Sequence, residues 1–476
     1  MTDLRAKFGR RGFLASAGAL ALCRTVRTEA TPIALATGGR ETVTVPADFL
    51  GLSYETPQLY NPAYFAPSNR ALVAEFRAIS SRGVLRFGGS LSAYTRWRRP
   101  GGDFSSDKEN RAVAAQHNWE WKLLDPGSVG AQDGAITPRA LHALRGFLDA
   151  TGWRCIYGLN FGSGTIARAV DEADNVLRFL GNRLLCFQLG NEPDFWAGNP
   201  LLRSNPYPFE QYKHEYESFV KAIRARHPRA PFAGPDVAQN LDWVAHYAES
   251  ECGNALFASG HHYAMGPASD PAMTAERLLA PVDPRLEQQI AAVTAMTERT
   301  GMRFRLTEAN SCFGGGKPGV SDAYASALWG VDFLLTTACA GYLGVDLHGG
   351  GAGYYTPIEA GTEGPVRRPL FHAMRFAAHF VGAPIRRGRF ATDANASLFV
   401  SKRRSETLIG LVNKSAVPIN FDTEATFGPN RRSRKALILH APSLADRTGT
   451  SLEPWPISHT RNLTVPAFSA MLVRAR

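Results

Sequence analysis

LLCFQLGNEP, residues 184–193, is apolar from Leu184 to Leu189 and then turns to a glycine, an asparagine and a glutamate before a proline. A short apolar run closed by Gly190 and Pro193 reads as a buried strand ended by residues that cannot continue it. Glu192 is thereby released from the core at a strand's C-terminal end. The same design recurs on either side of it. FLGLSYE (49–55), GVLRFGGS (83–90), RCIYGLNFG (154–162), FAGPDV (232–237), FASGHHY (257–263), FRLTEAN (304–310) and YLGVDLHGG (342–350) each run apolar and stop on small or polar residues. Longer helical patterns follow them. Continuous apolar strands alternating with helices predict an α/β fold, a closed parallel (β/α)8 TIM barrel over residues 49–379. In such a barrel the chemistry lies at the C-terminal ends of the strands.

The intervals carry helix signals. Thr137 before Pro138 is an N-cap with proline in the first helical position, and Gly152 closes that helix. Phe209, Tyr212, Tyr216, Phe219, Val220 and Ile223 form one apolar stripe at helical spacing between Pro208 and Arg226. From about residue 380 the pattern changes to short β runs such as SLFVSK, TLIGLVNK and KALILHAP, which predict a β-sandwich over 380–476. ETVTV (41–45), within the segment 32–48, is expected to add a strand to that sandwich. The stretch Leu91–Ile136 is too long for a plain connection and is expected to cover the barrel mouth. Its Trp97, Trp119 and Trp121 read as local packing in preference to a sugar platform.

The chain has 476 residues, 44% of them hydrophobic and 20% charged, the composition of a soluble globular protein. No run reaches the ~18 apolar residues of a membrane span, so no stable membrane insertion is expected. MTDLRAKFGRRGFLASAGALALCR opens with a basic stretch, Arg10 and Arg11, and a short apolar segment, which predicts a twin-arginine export signal over residues 1–31 and a periplasmic or secreted protein. Leu22 is too large for a good lipidation site before Cys23. The signal holds six of the basic residues and two acids, so its removal takes the net charge from +11 to +7. The other cysteines, Cys155, Cys186, Cys252, Cys312 and Cys339, are odd in number and lack C-x-x-C spacing, so they read as buried thiols in place of a disulfide framework.

The strand ends collect Glu55, Gly89, Ser90, Asn160, Asn191, Glu192, Asp236, His262, Tyr263, Glu308 and His348 at one predicted mouth. Glu192 on the fourth strand and Glu308 on the seventh would face each other there. Two carboxylates whose environments separate their pKa values are what glycoside hydrolysis uses, one as proton donor and one as nucleophile. Asp236 reads equally as a site residue or a loop-capping aspartate. His261 and His262 are adjacent and point to opposite faces of a strand, and no H-E-x-x-H spacing occurs, so neither a metal nor any other cofactor is expected. CFGGGKPG (312–319) lacks P-loop spacing and GLNFGSGT lacks the dinucleotide fingerprint. The basic residues form no stripe with aromatics, which argues against nucleic acid.

FQLGNEPDF and RLTEANSCF together resemble the retaining glycosidases of clan A. With FLGLSYE, LRFGGS, IYGLNFG, GPDV, GHHY, LTEANSCFGGGKPG, LHGG and GYYTPI, spread over residues 49–358, the chain looks like glycoside hydrolase family 79, the β-glucuronidase and heparanase-like enzymes. The resemblance implies that Glu192 is the acid/base and Glu308 the nucleophile of a retaining β-glucuronidase acting on a uronic-acid-containing glycan or glycoside. It implies sugar contacts from Glu55 and Asn191, and Tyr263 beside the nucleophile. It also implies a substrate carboxylate held largely by backbone N–H groups and tyrosine hydroxyls, which map to Gly314 and Gly315 after the seventh strand and to Gly353 and Tyr354 after the eighth. Consecutive glycines suit that task, because they let backbone N–H groups converge on an anion. Phe313 departs from the family, which has a tyrosine there. The rival readings are a clan A glycosidase for a neutral sugar, of β-xylosidase or arabinofuranosidase type, and a non-catalytic carbohydrate-binding protein.

Overall fold

The eight apolar runs fold as eight parallel strands that close on themselves in a computed structural model, which describes residues 42–104, 122, 124, 128, 134–388, 394–403, 406–422, 434–457 and 462–475. In chain order the barrel strands are β1 (Leu50–Glu55), β2 (Val84–Gly88), β3 (Arg154–Leu159), β4 (Leu184–Leu189), β5 (Phe232–Val237), β6 (Ala258–Pro267), β7 (Phe304–Phe313) and β8 (Val345–His348). Each pairs in parallel with the next, and β8 closes the ring by pairing with β1, Leu347 opposite Leu52. Strands covered by side chains inside and by helices outside are buried on both faces, which is why these runs are largely apolar and do not alternate. The expected export signal, Cys23, Trp119 and Trp121 lie outside the described residues.

A main helix follows each strand: α1 (Arg70–Ile79), α2 (Pro138–Thr151), α3 (Ile166–Leu180), α4 (Phe209–Arg226), α5 (Leu241–Glu251), α6 (Pro284–Thr300, preceded by the short helix Ala275–Leu278), α7 (Tyr324–Cys339) and α8 (Pro369–Ala378). The caps anticipated for α2 are in place. Thr137 Oγ1 accepts the Ala140 N–H at 3.4 Å, and Gly152 ends the helix at φ 83°, a conformation that costs a glycine little. The stripe anticipated for α4 is its buried face, from Phe209 to Ile223. Trp97 is wholly buried and its indole donates to Asp171 Oδ2 at 2.6 Å, so this residue packs the fold.

Beyond α8 the chain forms β9 (Pro384–Arg387), β10 (Ala396–Arg403), β11 (Glu406–Asn413), β12 (Ile419–Asp422), β13 (Arg434–His440), β14 (Ser451–Trp455), β15 (Asn462–Val465) and β16 (Ser469–Ala475). An antiparallel sheet of seven strands runs Val43–Thr44, β9, β10, β11, β16, β13, β14, and β12 pairs with β15 separately. Period-two alternation gives the large sheet two apolar faces. Phe399, Leu408, Val412, Leu439 and Leu472 join the barrel core, whereas Leu398, Val400, Ile409, Leu411 and Met471 pack with Phe421, Leu463 and Val465 of the β12–β15 pair. The sheet is thus fixed to the barrel on one side and covered on the other.

Candidate active site

The turn after β4 sets the geometry. Gly190 takes φ 92° and Glu192 φ 51°, and Pro193 then opens a single 3-10 turn, so the chain leaves the barrel axis abruptly. Glu192 donates its N–H to the Asp236 carbonyl at 2.9 Å, and Asp236 is itself left-handed at φ 66°. Left-handed backbone at a non-glycine residue costs on the order of 1–3 kcal/mol and persists only where the surroundings impose it. Here Asp194 imposes it by accepting the N–H groups of Ala238, Gln239 and Asn240, which clamps the β4 loop to the β5 loop.

Glu192 and Glu308 meet across the mouth. One oxygen of each, together with a ring nitrogen of His261, lie within 4.8 Å of one another. Their surroundings differ. Glu308 Oε2 receives Arg86 Nη1 at 2.7 Å, and Oε1 receives the Tyr263 hydroxyl at 2.7 Å. Burial alone would raise the Glu308 pKa, but the charges of His348, His261 and Arg86 and the Tyr263 bond outweigh it and hold the carboxyl at about 2. Among the described residues Glu192 has no arginine partner. Burial pushes its pKa up, the negative charge of Glu308 adds to that, and the hydrogen bond from His261 Nδ1 to Oε1, 2.9 Å long, only partly offsets it. The two carboxyls therefore move in opposite directions from their common starting value.

A polar layer beneath the mouth creates this difference. Arg86, fully buried on β2, reaches Glu308, Ser53 Oγ at 2.8 Å, Asn191 Oδ1 at 2.7 Å, Asp236 Oδ2 at 2.6 Å and Gln188 Oε1 at 3.2 Å. Asp236 also accepts Gln188 Nε2 at 2.8 Å and the Thr307 hydroxyl, and Arg86 keeps its carboxyl well below the usual range despite burial. His261 Nε2 stands 3.4 Å from Asp236 Oδ1. Burial would lower the imidazole's pKa, but Glu308 and Asp236 raise it to about 10, so His261 is a cation at neutral pH. Glu192, His261 and Glu308 have the spacing of a small cation site. Positive charge is already supplied there by His261 and Arg86, so the group fits an ion-pair network better than a metal-ligand set.

Of the other sequence-selected residues, Glu55 is buried, with Oε2 accepting the Leu91 N–H at 2.9 Å and Oε1 lying 3.7 Å from His348 Nε2. Gly89 presses against it at φ 74°, and donates its N–H to Asn191 Oδ1 at 2.9 Å. With Arg86 on the same oxygen, Asn191 keeps only its amide NH2 for a ligand among the described residues. Ser90 begins the short turn after Gly89 and is half-buried. Asn160 is spent on loop contacts, bonding Thr95 of the segment after β2 and Ser163 and Gly164 of its own turn. His262 turns outward to Asp283 Oδ2 at 2.8 Å, on the face opposite His261. Lys317 donates to the Asp270 carbonyl at 2.5 Å, so its ammonium is already engaged.

Gly314, Gly315 and Gly316 run consecutively left-handed, at φ 80°, 86° and 82°. The Tyr354 N–H donates to the Gly315 carbonyl at 2.8 Å, so that amide ties the β7 and β8 loops together and is not free for an anion. The Tyr354 side chain is exposed, as is Phe313, whose ring meets Tyr263 edge-on at 6.1 Å. Gly353 is buried beside Tyr354. Tyr355 carries the wall inward, 6.3 Å from the Tyr263 ring and 5.7 Å from His348.

No family model matches the chain. A β-glucuronidase from Aspergillus niger is 26% identical over 225 residues, which cover 42% of this chain and 41% of that protein. A second β-glucuronidase, from Neurospora crassa, is 26% identical over 233 residues, covering 41% of this chain and 40% of that protein. The chain is similar to fungal β-glucuronidases. The match spans about two fifths of those proteins' lengths. Among solved structures, a 4-O-α-L-rhamnosyl-β-D-glucuronidase from Fusarium oxysporum superposes with a TM-score of 0.69 at 14% identity, covering 93% of this chain and 99% of that one. A family 51 α-L-arabinofuranosidase from Bifidobacterium longum gives 0.66 at 14% identity, covering 94% and 99%. These likenesses establish the fold, a TIM barrel like those of known glycosidases.

Proposed function

We propose that this chain is a retaining glycoside hydrolase that removes β-linked glucuronic acid from a glycan or glycoconjugate. One observation carries the mechanism: oxygens of Glu192 and Glu308 stand within 4.8 Å, with environments that raise one pKa and lower the other. Retaining enzymes hold their two carboxyls about 5–5.5 Å apart, whereas inverting ones leave about 6.5–9.5 Å for a water. Glu192, protonated, gives its proton to the glycosidic oxygen as the bond from that oxygen to the anomeric carbon breaks. Glu308, ionised, bonds to the anomeric carbon and forms a glycosyl-enzyme. Glu192 then takes a proton from water, which displaces Glu308 and releases the sugar with its configuration kept. Tyr263 and Arg86 orient Glu308 through its two oxygens, leaving the proton on the opposite carboxyl.

The similarity to fungal β-glucuronidases supports a uronate substrate, and the glycine turn supplies backbone donors suited to its carboxylate. Two features favour a second reading, a neutral sugar: the Tyr354 amide is already bonded and Phe313 has no hydroxyl. Hydrolysis of aryl β-glucuronide, β-glucoside, β-xyloside and α-L-arabinofuranoside by purified protein separates the two. NMR of the first-formed sugar anomer tests retention, and an inverted product would sink the mechanism. Inactivity on the whole panel would favour the carbohydrate-binding alternative. We further propose export by the twin-arginine route, testable by fusing residues 1–31 to a reporter and substituting Arg10 and Arg11.

A further inference from the structure

One cavity lies away from the acid pair. It has a volume of about 1000 Å³ and opens between α6, α7 and the β9 edge of the terminal sheet. Its origin is a gap in the helix ring. α5 packs on α6 and α7 on α8, but the short helix Ala275–Leu278 takes the place of α6 against α7. Strand β6 separates the cavity from the catalytic centre. His261 and Tyr263 point to the carboxylates, whereas His262 stacks on Phe333 of α7 at 5.5 Å and Ala264 lines the cavity.

The lining is chemically two-sided. Trp329 and Phe333, stacked at 4.8 Å, form an apolar wall, and Val282, half exposed, stands at the lip. The polar side is cationic. Lys414, almost wholly buried, is paired with Asp332 at 2.7 Å, and Asp283 is bonded to His262. Arg277, Arg285 and Arg387 also line the cavity and have no carboxylate partner at ion-pair distance among the described residues. Glu287 is the lining carboxylate left over. Aromatic surface beside surplus guanidinium groups suits a ligand with a flat apolar body and one anionic head, since guanidinium binds carboxylate or sulfonate through two parallel donors.

We propose that this cavity is a second ligand site, distinct from the glycosidase centre, for a small amphipathic anion of aromatic or alicyclic body. The proposal stands independently of the function assigned to the acid pair. The test is a fluorescence titration of the full chain with 8-anilinonaphthalene-1-sulfonate, repeated with the uncharged N-phenyl-1-naphthylamine. One saturable site is expected for the anion, with the neutral analogue binding roughly tenfold more weakly, the scale of one lost charge-assisted hydrogen bond. An Arg285→Glu/Arg387→Glu double variant should weaken the anion by at least a similar factor. Thr336→Trp, which puts an indole into the cavity, should abolish binding, with thermal unfolding of both variants confirming that they fold. Absence of saturable binding, equal affinity for the neutral analogue, or affinity untouched by both variants would overturn the proposal.

Discussion

His261 Nδ1 lies 2.9 Å from Glu192 Oε1, and its Nε2 lies 3.4 Å from Asp236 Oδ1, so one buried imidazole spans two carboxylates. Its charge lowers the pKa of Glu192 and of Glu308 alike. In His261→Gln that influence disappears, so both carboxyls should titrate at higher pH. The acidic limb of kcat/KM, set by Glu308, and the basic limb, set by Glu192, should each move to higher pH. A profile measured on an aryl glycoside checks this, and limbs that stay in place would exclude His261 from control of either group.

Arg86 holds the buried negative charges together. Arg86→Ala leaves Asp236 and Glu308 without their arginine and is expected to cost about 3–5 kcal/mol in urea unfolding. The pH dependence of wild-type stability has a definite sign. Glu308 is depressed from 4.5 to about 2, so its contribution is complete above 4.5 and fades as pH falls toward 2. His261 is raised from 6.5 to about 10, so its contribution is complete below 6.5 and fades as pH rises toward 10. These two groups therefore place maximum stability between those ordinary values, which unfolding melts across pH will show.

Phe313 sits at the exposed end of the ring contact that leads through Tyr263 to Glu308. Phe313→Tyr restores the hydroxyl that the resemblance led one to expect. A hydrogen bond to a charged group is worth about 1.5–3 kcal/mol. The ratio of kcat/KM for β-glucuronide over β-glucoside should therefore rise roughly tenfold or more. A change shared equally by both substrates would show that the new hydroxyl does not meet the carboxylate.

Gly89 is left-handed, and a Cβ there would come 2.3 Å from the Glu55 carboxyl. Gly89→Ala should destabilise by more than the about 1–2 kcal/mol of the backbone term alone. It should also reduce activity, because the Gly89 N–H orients Asn191. Calorimetry and steady-state kinetics measure the two effects.

The barrel was legible because a parallel sheet writes itself as apolar runs, and the ends of those runs named Glu192 and Glu308. The groups that tune them were harder to read. Arg86 lies inside the run GVLRFGGS, and its partners Asp236 and Glu308 are 150 and 222 residues away. Nothing local distinguishes it from a strand-edge arginine until the ring closes. A signal did exist: Ser53, Arg86, Gln188, Asp236, Ser259 and Thr307 each interrupt an otherwise apolar strand, and read together they outline the buried polar layer. The bond between Tyr354 and Gly315 joins two loops from different strands, and single-residue types carry no record of such a pairing.

β16, Ser469–Ala475, occupies an interior position of the seven-strand sheet, between β11 and β13. During synthesis the barrel strands leave the ribosome long before it does. Until then β11 and β13 lack their shared neighbour, and the faces of α7 and α8 that the sheet seals stay wet. Translation order thus imposes a delay between formation of the barrel and closure of its outer wall. A nascent chain stalled before residue 469 should be far more open to protease in its last hundred residues than in its barrel.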